Sequence, residues 1–236
     1  MKNFKYQKAD IVFKMAKYHI YLFRHGQTFF NKHHIFTGFK DSKLTSRGKK
    51  DALKIAEKLK NKRIDVAYQT RLSRSKDTLK PVLKYHPECR QIITDDRMIE
   101  RCYGRLQGMS HKKYIEEVGE EMYKALRQKN LIPKLSAAER KKFVENVGTA
   151  KFDVYHRSYD NPPPGGESIK MVEQRVRSFI KDLLKKIREE KVNVAISAHG
   201  NSMRPFRRYF ERLNLKQMMK LENPWDDYFE YVVEVK

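Results

Sequence analysis

Two short apolar runs, at residues 18–23 (YHIYLF) and 192–198 (VNVAISA), each lead into a histidine followed by glycine. The junctions read Arg24-His25-Gly26 and Ala198-His199-Gly200. Runs of this length stopped by turn residues read as buried strands. The spacing between them predicts helices. Thr45 or Ser46 offers an N-cap for a helix whose apolar positions Ala52, Ile55, Ala56 and Leu59 share one face. Residues 64–68 read as a second strand, 73–84 as a second helix broken near Pro87, and 91–94 as a third strand. Further on, Val172, Val176, Phe179, Ile180, Leu183 and Ile187 form the stripe of a long helix that delivers the second histidine-bearing strand. Strand, crossover helix and strand in repetition predict an α/β fold: three α/β/α layers around a mostly parallel central sheet, with ligands bound beyond the carboxyl ends of the strands. Both histidines then stand at one edge of that sheet.

The pattern predicts a single domain over 1–236. Residues 1–17 form a basic N-terminal extension to which no function attaches. The lysine-rich segment from about 109 to 165 is helical in pattern around 111–128, ends in Pro162-Pro163-Pro164-Gly165-Gly166, and reads as a cap inserted over the sheet. Composition narrows the class further. With 39% hydrophobic residues, the chain can bury a core despite a formal net charge of +23. Lysines are spread over nearly every segment, and neither an RNP-type aromatic block nor a helix-turn-helix accompanies them, which argues against nucleic acid as the main partner. No apolar run approaches the ~18 residues of a membrane span, and the basic start lacks the apolar core of a signal peptide, so a cytoplasmic location is expected. Cys89 and Cys102 are too few for a disulfide framework or a cysteine-based zinc site. His33 and His34 are adjacent, and no HExxH or facial His/carboxylate spacing occurs, so no metal is expected.

Chemistry gathers where the strands end. A neutral imidazole can attack phosphorus and carry a phosphoryl group when cations and N–H donors neutralise the equatorial oxygens. His25 with Arg24 beside it suits that role. His199 would hold the transferred group, and Arg74, at the start of a helix, would add a second guanidinium. Taken singly, His25 also reads as a turn histidine, His199 as a structural one and Arg74 as a surface arginine. Glu100 fits the proton transfer that phosphoryl exchange with a hydroxyl requires, because a carboxylate beside a bound anion has its pKa raised. Its alternative is a solvated ion pair with Arg97 or Arg101. Arg101 and Tyr103 are placed to meet a distal carboxylate or phosphate.

Six ordered blocks resemble the histidine phosphatase superfamily, and within it the 2,3-bisphosphoglycerate-dependent phosphoglycerate mutases. They are RHGQTFFN (24–31), FTGFKDSKLTSRG (36–48), RLSRS around Arg74, ERCYGRLQG (100–108), PPPGGES before the long helix, and AHGNSMR (198–204). The resemblance implies that His25 is the phosphorylated nucleophile and that Arg24, Arg74 and His199 form the phosphate pocket. It further implies Asn31, Thr37, Gly38, Gly200 and Asn201 as substrate-binding positions, with 2,3-bisphosphoglycerate as phosphoryl primer. Three departures concern the distal pocket. His111, followed by Lys112 and Lys113, stands where the mutases carry a lysine. Arg127 keeps one member of an arginine pair whose other member is Gln128, and Cys102 replaces a usual histidine.

Three readings follow. The first is a phosphoglycerate mutase interconverting 3- and 2-phosphoglycerate. The second is a histidine-type phosphatase acting on a small phosphorylated metabolite, because a mutase must exclude water and no long tail follows the last expected strand to close the site. The third is a basic polyanion-binding protein. Self-association is left open.

Overall fold

A computed structural model describes residues 15–236; most of the basic extension lies outside the described residues. In chain order the elements are β1 (Ala16–Arg24), α1 (Phe29–Lys32), α2 (Ser46–Leu59), β2 (Val66–Gln69), α3 (Ser73–Leu83), β3 (Gln91–Thr94), α4 (His111–Gln128), α5 (Ala137–Arg157), α6 (Ile169–Glu190), β4 (Val194–Ala198), α7 (Gly200–Phe210), α8 (Leu215–Met219) and β5 (Tyr228–Val235). The five strands form one sheet in the order β3-β2-β4-β1-β5. All pairings are parallel except that of β5, which runs antiparallel along the edge of β1.

The period of two along each strand divides the core between the sheet's faces. Ile20, Leu22, Val66, Tyr68, Val194 and Ile196 pack against the α6 stripe and against Met203 and Phe206 of α7. Their neighbours Tyr21, Phe23, Ala67 and Ala195 face the other way, onto Ile55, Ala56 and Leu59 of α2 and Leu79 and Val82 of α3. Helices therefore cover both faces, which is why the strands read as near-continuous apolar runs. Thr45, one of the two cap candidates, is the N-cap of α2, its Oγ1 accepting from the Gly48 N–H at 3.0 Å.

Three expectations shift. β1 begins earlier than residue 18, because β5 pairs with it from Ala16 opposite Val235. α3 contains Pro81 and ends at Leu83, ahead of Pro87. Within 109–165 a second long helix, α5, lies against α4. Its apolar stripe is weak, and Val144 is its one buried hydrophobic side chain. The two helices approach closely at glycines, where a Cβ on Gly119 would stand 2.1 Å from Val144 O and one on Gly148 2.0 Å from Ile115 O, and ring contacts such as Tyr114–Tyr155 and Tyr123–Phe143 join them.

Gly26 stands against Gly48 in the first turn of α2, where a Cβ on Gly26 would lie 2.2 Å from Gly48 O. Its N–H donates to Thr78 Oγ1 of α3 at 3.0 Å. The loop that carries His25 is thus clamped between two helices. Gly26→Ala is expected to destabilise the fold by about 1–3 kcal/mol through overpacking. A urea titration checks this; an unchanged midpoint would show that the clamp is slack.

Candidate active site

Register places the two histidines. Arg24 lies opposite Ala198 in the parallel β1–β4 ladder, and the pattern continues one residue further, the His25 N–H donating to Ala198 O at 3.0 Å. His25 and His199 therefore leave adjacent strands side by side, with ring centroids 4.9 Å apart and planes inclined by 58°. Both rings are buried.

The hydrogen bonds assign their protons. His25 Nδ1 is 2.8 Å from Gly26 O. A carbonyl only accepts, so Nδ1 carries the proton and Nε2 keeps its lone pair. For His199, Arg74 Nε donates to Nδ1 at 3.3 Å, which leaves the proton on Nε2, 2.8 Å from Thr70 Oγ1. Arg74 is itself buried and further donates to Lys40 O at 3.0 Å and Gly38 O at 2.8 Å. Burial, then the Arg74 and Arg24 charges, hold the His25 imidazole well below its ordinary 6.5. The same leading causes, burial first and Arg74 next, depress His199. Burial also lowers Arg74, to about 10.

Glu100 is buried and accepts through Oε1 from the backbone N–H of Arg101 at 2.8 Å and of Asn201 at 3.1 Å. Its Oε2 is left for exchange with a ligand. Neither ion pair of the alternative reading forms: Arg97 binds Asp95 and Asp182, and Arg101 stacks 4.3 Å from the Tyr103 ring centroid. The loop bearing Glu100 is held by Glu167 of the PPPGGES block, whose Oε2 accepts from Cys102 N at 2.9 Å. Arg175 of α6 reinforces it, donating to Glu100 O at 3.0 Å and to Glu167 Oε1 at 2.9 Å.

Glu100 opens onto a cavity of about 590 Å³ together with Arg24, whereas His25, His199 and Arg74 are buried beside them and are not among its lining residues. Arg24, Asn31, Thr37, Gly38, Glu100, Tyr103, Gly200 and Asn201 line it, as does His111. Asn31 Oδ1 accepts from Thr28, so its amide N–H groups remain for a ligand. Two expected positions are elsewhere. Arg101 is fully buried behind Tyr103, with Nη2 donating to Tyr155 O at 2.8 Å. Arg127 is turned to the end of α4, where it donates to Ile132 O at 2.8 Å. Lys112 and Lys113 also point outward, paired with Glu116 and Glu117. The cap presents His111 and aromatic rings to the cavity, and burial lowers His111 to about 4.

Folding assembles a set that linear spacing concealed: ligating atoms of His25, Glu100 and His199 all lie within 4.8 Å of one another. Two imidazoles and a carboxylate suit a cation in isolation. Here Arg74 occupies the Nδ1 lone pair of His199, Thr70 faces its Nε2, and both imidazole pKa shifts register the guanidinium charges. Arg24 Nε is buried with no hydrogen-bond partner. A sealed guanidinium N–H costs about 1–3 kcal/mol unless an acceptor meets it, so the donor set fits a tetrahedral oxyanion.

Sequence reasoning missed several supports. Thr70 follows β2 at the same carboxyl edge that drew attention to the histidines, and that position was its only signal. Arg204 lies within AHGNSMR, four residues after Gly200 and so on the same face of α7; it lines the cavity. The Trp225 ring stacks on the Arg24 guanidinium, 5.0 Å from Cζ to centroid, while Asn223 O accepts from Arg24 Nη1 at 3.3 Å. Nothing in the linear sequence connects Trp225 with Arg24.

The sequence matches the histidine phosphatase superfamily (branch 1) over residues 20–150 and 134–228. A 2,3-bisphosphoglycerate-dependent phosphoglycerate mutase of Parvibaculum lavamentivorans is 33% identical over 204 residues, spanning 85% of this chain and 83% of the relative. Among solved structures, a mycobacterial glucosyl-3-phosphoglycerate phosphatase is similar with TM-score 0.67 at 19% identity, covering 92% of this chain and 91% of that one. A Bacillus anthracis phosphoglycerate mutase superposes with TM-score 0.63 at 19% identity, covering 93% and 89%. At these identities the structural likenesses speak for the fold.

The depressed imidazoles predict an acid-side loss of stability. As pH falls below about 6.5, the unfolded chain takes up protons that native His25 and His199 refuse, so the stability they contribute is complete above that value and declines below it. The slope is up to about 1.4 kcal/mol per pH unit for each histidine. Denaturant titrations between pH 7 and 5 should show a shallower decline in His25→Asn than in wild type. Parallel declines would mean that the native imidazole titrates like an unfolded one.

Proposed function

The chain belongs to the histidine phosphatase superfamily (branch 1), and from that membership we propose that it is a phosphoglycerate mutase. It interconverts 3- and 2-phosphoglycerate through a phosphohistidine on His25, primed by 2,3-bisphosphoglycerate, in the cytoplasm. The observation that carries this reading is a neutral His25 with a free Nε2 lone pair, set within 4.8 Å of Glu100, which with Arg24 lines a cavity roomy enough for a second charged group. The identity to named mutases along most of the chain supports the choice of substrate.

His25 Nε2 forms a bond to phosphorus as the ester P–O bond breaks, and the departing oxygen takes a proton from Glu100 Oε2. In the return direction Glu100 accepts the proton of the attacking hydroxyl while the N–P bond breaks. The Gly26 carbonyl fixes the ring through Nδ1 and disperses the positive charge that develops on it. Arg24, Arg74 and the Gly200 amide at the start of α7 meet the three equatorial oxygens. The buried guanidinium N–H of Arg24 is an observation of this chain that fits a phosphoryl ligand. 2,3-Bisphosphoglycerate supplies the phosphoryl group that first charges His25; Arg24 and Arg74 would hold its reacting end, with His199 fixing Arg74 through Nδ1.

A phosphatase reading draws on one feature: Arg127, Lys112 and Lys113 leave the cap side of the cavity without the cations that retain a phosphoglycerate. Product analysis separates the two. An assay of 3-phosphoglycerate conversion should be stimulated by 2,3-bisphosphoglycerate and yield 2-phosphoglycerate; release of inorganic phosphate as the main product would establish the phosphatase. His25→Ala should abolish turnover, and Glu100→Gln should lower kcat about 10²–10⁴-fold, each with an unchanged circular dichroism spectrum.

A further inference from the structure

A mutase of this kind must grip the end of its substrate that is not reacting, and the cap arginine expected to do so faces away. Cations reach the cavity from the opposite wall. Arg204 stands one turn beyond Gly200 on α7, and both line the cavity. Its Nη1 donates to Met219 O at 3.2 Å, which ties α7 to the end of α8; Nε and Nη2 donate to no protein acceptor among the described residues. Lys216 of α8 and Lys220, the residue that caps its end, line the same cavity. Both are exposed, and neither enters an ion pair among the described residues.

This wall is held in fixed relation to the phosphate cage. Asn223, which follows α8, accepts through its carbonyl from Arg24 Nη1 at 3.3 Å and donates through Nδ2 to Gly200 O at 3.0 Å. Glu222 is the one carboxylate besides Glu100 among the lining residues. Three cations thus face one acid across from the reacting centre, a surplus that suits an anion.

We infer that Arg204, Lys216 and Lys220 form the distal anion subsite, binding the carboxylate or second phosphate of a two-anion substrate while the first phosphate sits on His25. The inference rests on the phosphoglycerate reading and replaces the cap as the source of the second grip. Arg204 is the directional element, offering two N–H groups from a partly buried guanidinium. The lysines are mobile point charges that draw the distal group to the wall and release it when the glycerate turns end for end. A substrate with one anion gains nothing from them.

Binding tests this without reference to turnover. Calorimetric titrations of 2,3-bisphosphoglycerate and of inorganic phosphate are made into wild type and a Lys216→Ala/Lys220→Ala double variant, which replaces two exposed side chains that enter no ion pair among the described residues. Removing two partly screened charge contacts should weaken bisphosphoglycerate about tenfold and leave phosphate within about twofold. Arg204→Lys, which keeps the charge and loses the fork, should weaken the bisphosphate alone. Equal losses for both ligands, or retention of bisphosphate affinity in the double variant, would overturn the subsite, as would a wild type that prefers neither ligand. Failure of the mutase reading looks different: phosphate release without isomerisation, whatever the lysine variants do to affinity.

Discussion

One backbone hydrogen bond, from His25 N to Ala198 O, sets the terms for the rest of the site. It extends the parallel β1–β4 ladder a single residue past its last paired position and so obliges two histidines from opposite ends of the chain to emerge together. A slip of one residue in that register would turn the histidines toward different faces of the sheet and bury the apolar residues of β1 against the wrong helices. Core packing on both faces therefore enforces the chemistry at the edge. The arginines follow from the same frame: Arg24 is the last residue of β1, and Arg74 opens α3, which packs beneath the sheet.

Low polarity and positive charge act together there. Burial alone would push both imidazoles toward neutrality, and the guanidiniums push the same way. A histidine kept neutral can donate a lone pair to phosphorus, whereas the same cations stabilise the negative oxygens it must approach. The arrangement is costly without an anion, as the unpartnered Nε of Arg24 shows. The Trp225 ring and the Asn223 carbonyl hold that guanidinium in place. Beyond the site, the net charge of +23 is carried largely by exposed lysines, several in helical pairs such as Lys185–Glu189 and Lys186–Glu190. Such pairs are neutral and add little stability; the excess of cations over acids sets a positive field that raises the local concentration of anions.

Much of this was legible because strands and amphipathic helices announce themselves by period. The α2 and α6 stripes, the 91–94 strand and both His-Gly junctions are local patterns, and the fold needs only their order. What local pattern could not show is instructive. Helix α5 packs on α4 through glycine contacts and separate ring pairs, without one continuous apolar stripe, so no periodicity marked it. Arg127 has the right residue type at a plausible position, yet its side chain is consumed by a carbonyl a few residues away. Thr70 and Trp225 act through partners distant in sequence. The distal wall lies on α7 and α8, where Arg204 was visible inside a block and its direction was not.

The central claim is that His25 Nε2 is the atom that takes the phosphoryl group. The protein is mixed with 2,3-bisphosphoglycerate, quenched in alkali, digested at neutral or higher pH and sequenced by mass spectrometry. The account predicts one phosphoryl group, on His25, stable to alkali and lost in acid. An acid-stable phosphoryl group on another residue, or an active protein in which His25 is never modified, would contradict it.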